Sequence, residues 1–119
     1  MANQREIDRL HAQRRKLEDR ISDLEGEQRR RQQSKLVGRV FEYQNGYSLD
    51  QRWPLYIRVD AIDEDGWLTT FQFEEDCHGE FFIRPASKRL TISDDYSEIS
   101  RGEFDAAWAH LLAKIQERA

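Results

Sequence analysis

Residues 41–59 read FEYQNGYSLDQRWPLYIRV, and five of these nineteen positions are aromatic: Phe41, Tyr43, Tyr47, Trp53 and Tyr56. How this stretch divides decides the fold. Upstream, Leu36–Tyr43 has the residue types of a first strand, with Gly38 placed as a bulge. Gln44–Pro54 contains Asn45-Gly46 and ends on a proline, so it reads as loop. Leu55–Ile62 then alternates, with Leu55, Ile57, Val59 and Ala61 on one face and Tyr56, Arg58 and Asp60 on the other.

The pattern continues downstream. Asp63-Glu64-Asp65-Gly66 is a hairpin turn, and Trp67–Glu74 places Trp67, Thr69, Phe71 and Phe73 on one face. Asp76–Gly79 makes a second turn. Glu80–Arg84 follows as a strand stopped by Pro85, and Lys88–Ile92 adds a short edge strand. Ser100-Arg101-Gly102-Glu103 is a capping box opening a helix whose apolar face carries Phe104, Trp108, Leu111, Leu112 and Ile115. That face needs a cover, and the Ile57/Val59 side of the sheet is the expected one. Tyr56 and Arg58 would then point away from the core.

Upstream of Leu36 the chain has a different composition. Residues 1–35 carry ten Lys/Arg against seven Asp/Glu, while residues 36–119 carry nine against sixteen. All thirteen aromatics lie in the second part. Ile7, Leu10, Leu17, Ile21 and Leu24 recur at alternating spacings of three and four. With Ile7 at heptad position a, Arg14, Ile21 and Gln28 are the other a residues, and Leu10, Leu17, Leu24 and Arg31 are d. This is a coiled-coil seam. Ile at a with Leu at d favours two parallel strands, and Arg20 at g meets Glu25 at e of a partner. The seam is short and diluted by Arg14 and Gln28, so it needs help from the following domain, or it folds back as a hairpin partner. Arg29, Arg30, Arg31, Lys35 and Arg39 offer a second reading as a phosphate-contacting patch. The expected architecture is α+β: a coiled-coil oligomerisation helix over 1–35, then a small domain over 36–119 with four or five antiparallel strands and one covering helix.

Mean hydropathy is −0.92, and no apolar run reaches the length of a membrane span. With no signal-type leader and a single cysteine, Cys77, the expectation is a soluble cytoplasmic protein without an internal disulfide. Catalytic constellations are thin. Cys77-His78 lacks zinc-site spacing, and Asp63–Gly66 lacks the length of a calcium loop. No phosphate loop, serine elbow or HExxH is present. The expectation is a protein that is not an enzyme, with no cofactor and no metal.

Two non-catalytic readings of the surface remain. Tyr43, Asn45, Tyr47, Arg52, Trp53, Tyr56 and Arg58 combine ring faces, an amide and two guanidiniums, the chemistry that holds a base and a phosphate. Buried interface is the competing reading of the same rings. Asp63, Glu64, Asp65, Glu74, Glu75 and Asp76 alternatively form an acidic face for a basic protein partner.

GRVFEYQNGYS, WPLYIRV, GWLTTFQFEEDCHGEFFI and SEISRGEFDAAW together resemble a group of small phage and prophage proteins. Members have a charged coiled-coil leader followed by G-x-x-F-x-Y-x-N-x-Y-S; here the loop from that motif to Trp53 is short. The resemblance implies an antagonist of bacterial immunity in the host cytoplasm, assembled as a homodimer or larger even-numbered oligomer. It would sequester a nucleotide-like messenger, such as a cyclic nucleotide or ADP-ribose derivative, or block a defence protein such as a CRISPR effector. An acidic DNA-mimic inhibitor and an assembly accessory are the alternatives.

Overall fold

The computed structural model describes residues 3–118, with the side chain of Tyr47 outside the described part. The fold is α+β. Helix α1 spans Gln4–Gln33 and runs through a single helical turn, Ser34–Leu36, into the sheet. The strands are β1 (Val40–Ser48), β2 (Gln51–Ile62), β3 (Leu68–Glu75), β4 (Phe81–Leu90) and β5 (Ser97–Ile99), and α2 (Arg101–Arg118) ends the chain. Every pairing is antiparallel, and the order across the sheet is β4-β3-β2-β1-β5.

The turns follow from their side chains. The Asp63 carboxylate accepts hydrogen bonds from the backbone N–H groups of Asp65 and Trp67, both at 2.9 Å. Asp76 does the same for His78 and Glu80, so an aspartate followed three residues later by glycine closes both hairpins. At the start of α2, Ser100 Oγ accepts from the Glu103 N–H at 3.1 Å, as the capping box requires. Asn3 caps α1 in the same way, accepting from the Glu6 N–H.

The stretch at 41–59 forms a tight hairpin where the sequence reading places a strand, a long loop and a strand. Only Leu49-Asp50 turns, and Asn45-Gly46 lies inside β1 opposite Trp53 and Arg52. Glycine at 46 answers to close approach, since a Cβ there would stand 2.2 Å from the Gln51 carbonyl oxygen. Pro54 sits within β2, one residue outside the β2–β3 ladder, which begins at Leu55. It therefore has no hydrogen bond to lose on that side. Pro85 likewise does not stop β4, because β4 is an edge strand whose register with β3 slips on both sides of Thr70. The last strand is Ser97–Ile99, on the opposite edge from that strand and beside β1.

Both faces of the sheet are covered, and they are assigned the other way round from the sequence expectation. Helix α2 packs Phe104, Leu111, Trp108 and Ile115 onto the face formed by Val40, Tyr56, Phe71 and Phe73. Phe73 is the hub, with its ring 5.1–5.2 Å from those of Tyr56, Trp108 and Phe104. Leu112 of the expected apolar face stays exposed. Ile57 and Val59, fully buried, belong to the second core with Phe41 and Leu68. That core is closed by Leu36, Ile92 and Tyr96 from the segments flanking the sheet.

Helix α1 leaves this body. Its 30 residues span about 45 Å at 1.5 Å per residue, and the molecule measures 75 × 29 × 28 Å. The root of the helix is held tightly. Gln33 donates through its side-chain amide to the Ile92 carbonyl and accepts from the Ile92 N–H. Arg29 donates to the Asp65 carbonyl at 2.7 Å while its guanidinium lies 3.8 Å over the Trp67 ring. Arg30 donates to the Asp63 carbonyl. Gly66, at φ +84°, lets the hairpin turn reach the helix: a Cβ there would be 2.4 Å from the Arg30 backbone nitrogen. The remainder of α1 does not fold back on the domain.

Candidate functional site

Of the seven residues expected to share one binding patch, Tyr47 has its side chain outside the described residues, and the others fall on both faces of the sheet. Cross-strand partners share a face, and the register pairs Asn45 with Trp53, Glu42 with Tyr56, and Val40 with Arg58. Tyr56 and Arg58 therefore look toward α2. Tyr56 stacks on Phe73, and Arg58 lies 4.8 Å over the Phe71 ring while bonding Asp60 at 2.6 Å. Burial, and then the carboxylates of Glu42 and Glu103, push the Tyr56 hydroxyl above its ordinary pKa. Trp53, Asn45 and Tyr43 lie on the opposite face.

On that face the organising group is Glu74, which the sequence suggested for an acidic surface. It is only 5% exposed. One carboxylate oxygen accepts from Asn45 Nδ2 at 3.1 Å and Trp53 Nε1 at 2.8 Å; the other accepts both terminal nitrogens of Arg84 at 3.3 Å. One carboxylate on β3 thus ties together β1, β2 and β4. Charge-assisted bonds of this kind satisfy a buried anion at the points where it would otherwise be most costly. Asn45 and Trp53 thus serve in holding the sheet. No local signal in the sequence marked Glu74, since a polar residue at an alternating strand position reads as solvent-facing.

The acidic face is dispersed in the same way. Asp63 and Asp76 spend their carboxylates on turns, Glu75 pairs with Lys114 at 2.8 Å, and Glu74 is buried. Glu64 and Asp65 stay exposed at the hairpin tip. The basic run is also divided, because Arg29 and Arg30 hold the helix root and Arg39 faces Glu98 at 3.5 Å.

Three of the seven patch residues do come together. Tyr43, Asn45 and Arg52 line an open crevice of about 530 Å³ at the β1–β2 hairpin, with Ser48 and Asp95 on its rim. The Tyr43 ring lies 4.9 Å from that of Tyr96, and the Tyr96 hydroxyl is pushed above its ordinary pKa by burial, then by Tyr43 and Asp95. Among the described residues, no three His, Cys, Asp or Glu side chains gather as a metal site. None of the described helices is long and apolar enough to cross a membrane.

The second candidate feature is the α1 seam. Ile7, Leu10, Leu17, Ile21 and Leu24 are all exposed, Leu17 at 65%. The residues that dock the helix, Gly26, Arg29, Arg30 and Gln33, occupy heptad positions f, b, c and f, the side away from a and d. The domain therefore grips the outer face of the helix and leaves the seam open along its length. The lone glycine late in the heptads carried this signal: Gly26 is buried, with the Asp65 backbone 3.5 Å from where its Cβ would be. No protein-family model, curated protein or solved structure matches the chain.

Proposed function

We propose that this protein is a non-enzymatic binding module that works as a homo-oligomer, joined through the α1 seam. The observation that carries the reading is the relation of two helix faces. Polar and backbone contacts to the domain occupy b, c and f, while five aliphatic side chains at a and d face solvent. A partner helix fits that stripe without disturbing any contact of the domain. Burying about 1 kcal/mol from each half-exposed Leu or Ile, five per chain, gives roughly 10 kcal/mol for a pair. Association costs about 4–15 kcal/mol, so the complex should be weak and dependent on concentration.

Light scattering after size exclusion tests this reading. The full chain should run at twice its 14.2 kDa or an even multiple at high concentration, and Leu17→Asp should run as a folded monomer. A wild type that stays monomeric when concentrated would refute the proposal.

The Tyr43–Asn45–Arg52 crevice favours a specific ligand class. Its volume falls within the range for small-molecule sites, and it offers a phenol ring and a guanidinium, which suit the base and phosphate of a nucleotide. The resemblance to phage proteins supplies a setting for that reading, capture of an immune messenger in a host cell. A thermal shift screen with cyclic nucleotides and ADP-ribose tests it. A ligand at 100 times its Kd should add about 2.7 kcal/mol, Arg52→Ala should remove that gain, and no shift with any of them would exclude the class.

A further inference from the structure

We infer that the partner on the α1 seam is a second copy of this chain running antiparallel, which sets the two α+β domains at opposite ends of the assembly. The inference rests on the coiled-coil reading above and goes beyond it by fixing orientation. Ile at a with Leu at d alone favours parallel strands; the polar members of the seam argue the other way. In a parallel pair every a or d residue meets its own copy. Arg14 would face the partner's Arg14, and Arg31 the partner's Arg31, two like-charge contacts inside the stripe.

In an antiparallel pair, a meets d. Ile7 then packs on the partner's Leu24, Leu10 on the partner's Ile21, and Arg14 on the partner's Leu17. All five aliphatic residues of each chain enter the stripe, and no arginine meets an arginine. Arg14 can lay its methylenes along leucine while its guanidinium keeps its own Glu18, 3.3 Å away. Gln28 and Arg31 fall beyond the last of these layers. Helix α1 begins at Gln4, so the partner helix ends beside Leu24 to Glu27, and the polar seam positions lie where no helix covers them. The polarity of the seam near the domain is therefore explained by where the partner stops.

The flanking charges divide. Glu18 comes beside the partner's His11, while Glu27 comes beside the partner's Glu6. The parallel pair instead gains Arg20 beside the partner's Glu25. These are exposed rim contacts and weak in either arrangement, so the residues inside the stripe decide. Because the domain grips the b, c and f side, neither orientation is blocked by the domain roots. In the antiparallel dimer those roots are roughly 40 Å apart at 1.5 Å per residue. Each hairpin crevice then acts alone, and the dimer offers two separated sites in place of one shared between subunits.

Cysteine crosslinking reads the orientation directly, because Cys77 is the chain's only cysteine and is exposed. In a Cys77→Ser background, Leu10→Cys alone should not form a disulfide dimer under mild oxidation. An equimolar mixture of Leu10→Cys and Ile21→Cys chains should crosslink as a heterodimer. Efficient crosslinking of Leu10→Cys with itself would overturn the antiparallel assignment while leaving the coiled-coil reading in place. Monomeric protein in the same samples by light scattering would overturn both.

Discussion

The two halves of this molecule bury their apolar residues in opposite ways. In the α+β domain, Phe73, Ile57, Val59 and Leu68 are at or below 1% exposure, and a sheet with both faces covered completes its own core. In α1, Ile7, Leu10, Leu17, Ile21 and Leu24 stand in solvent, and the buried residues are Gly26 and Gln33 at the domain end. Similar aliphatic chemistry is therefore finished in one region and unfinished in the other. A domain with closed cores is a unit of stability. A helix with an open stripe lacks that burial, and on the proposed reading its stability should depend on finding a partner.

The largest effect should come from the centre of the closed half. Phe73→Ala removes the ring that Tyr56, Phe104 and Trp108 pack against, and should destabilise the domain by about 3–5 kcal/mol in urea unfolding. A loss under 1 kcal/mol would mean that α2 is not clamped on this face. Glu74→Ala comes next, since it removes the acceptor that Asn45 Nδ2 and Trp53 Nε1 share. About 2–3 kcal/mol should be lost, with Tm lower by roughly 10–20 °C. Arg84 is half exposed and can return to water, which keeps the effect below that of a fully buried pair.

The junction between the halves should respond less. Gly66→Ala forces a side chain into the left-handed region and against Arg30, at about 1–3 kcal/mol. Hydrogen exchange at residues 29–33 should speed up while the centre of β2 stays protected. Equal acceleration in both would show that the root is part of the core.

The smallest effect is alkaline. The Tyr56 pKa is raised in the folded state, so its contribution is fully present below the unfolded value of 10.0. It is lost as pH rises through the raised folded value. Tyr56→Phe should therefore flatten the loss of stability above pH 10, leaving a remainder from Tyr96, which is shifted the same way. An unchanged alkaline profile would place the Tyr56 hydroxyl in water.

What the sequence made legible was local. The heptad stripe, the Asp-to-Gly turns and the Ser100–Glu103 cap each depend on residues a few positions apart, and each stands where its chemistry put it. The choice of face was not legible. Ile57 and Val59 look like the one apolar side of β2 only until Tyr56 and Arg58 are seen packing on Phe73 and Phe71. A sheet covered twice carries two apolar patterns, and alternation cannot say which one meets the helix. Pro54 and Pro85 misled for a related reason, because their tolerance depends on where neighbouring ladders end. The candidate patch was half legible: Tyr43, Asn45 and Arg52 line one crevice at the hairpin end, beside the register shift after Gly46, whereas Tyr56 and Arg58 pack toward α2 on Phe73 and Phe71.

The most direct measurement is hydrogen–deuterium exchange along α1 as a function of protein concentration. If the helix is an unfinished half, amides from Ile7 to Leu24 should exchange fast in dilute samples and gain protection on concentration. Those of β2 and β3 should stay unchanged throughout. Protection of α1 that is the same at every concentration, or absent at all of them, would contradict the account.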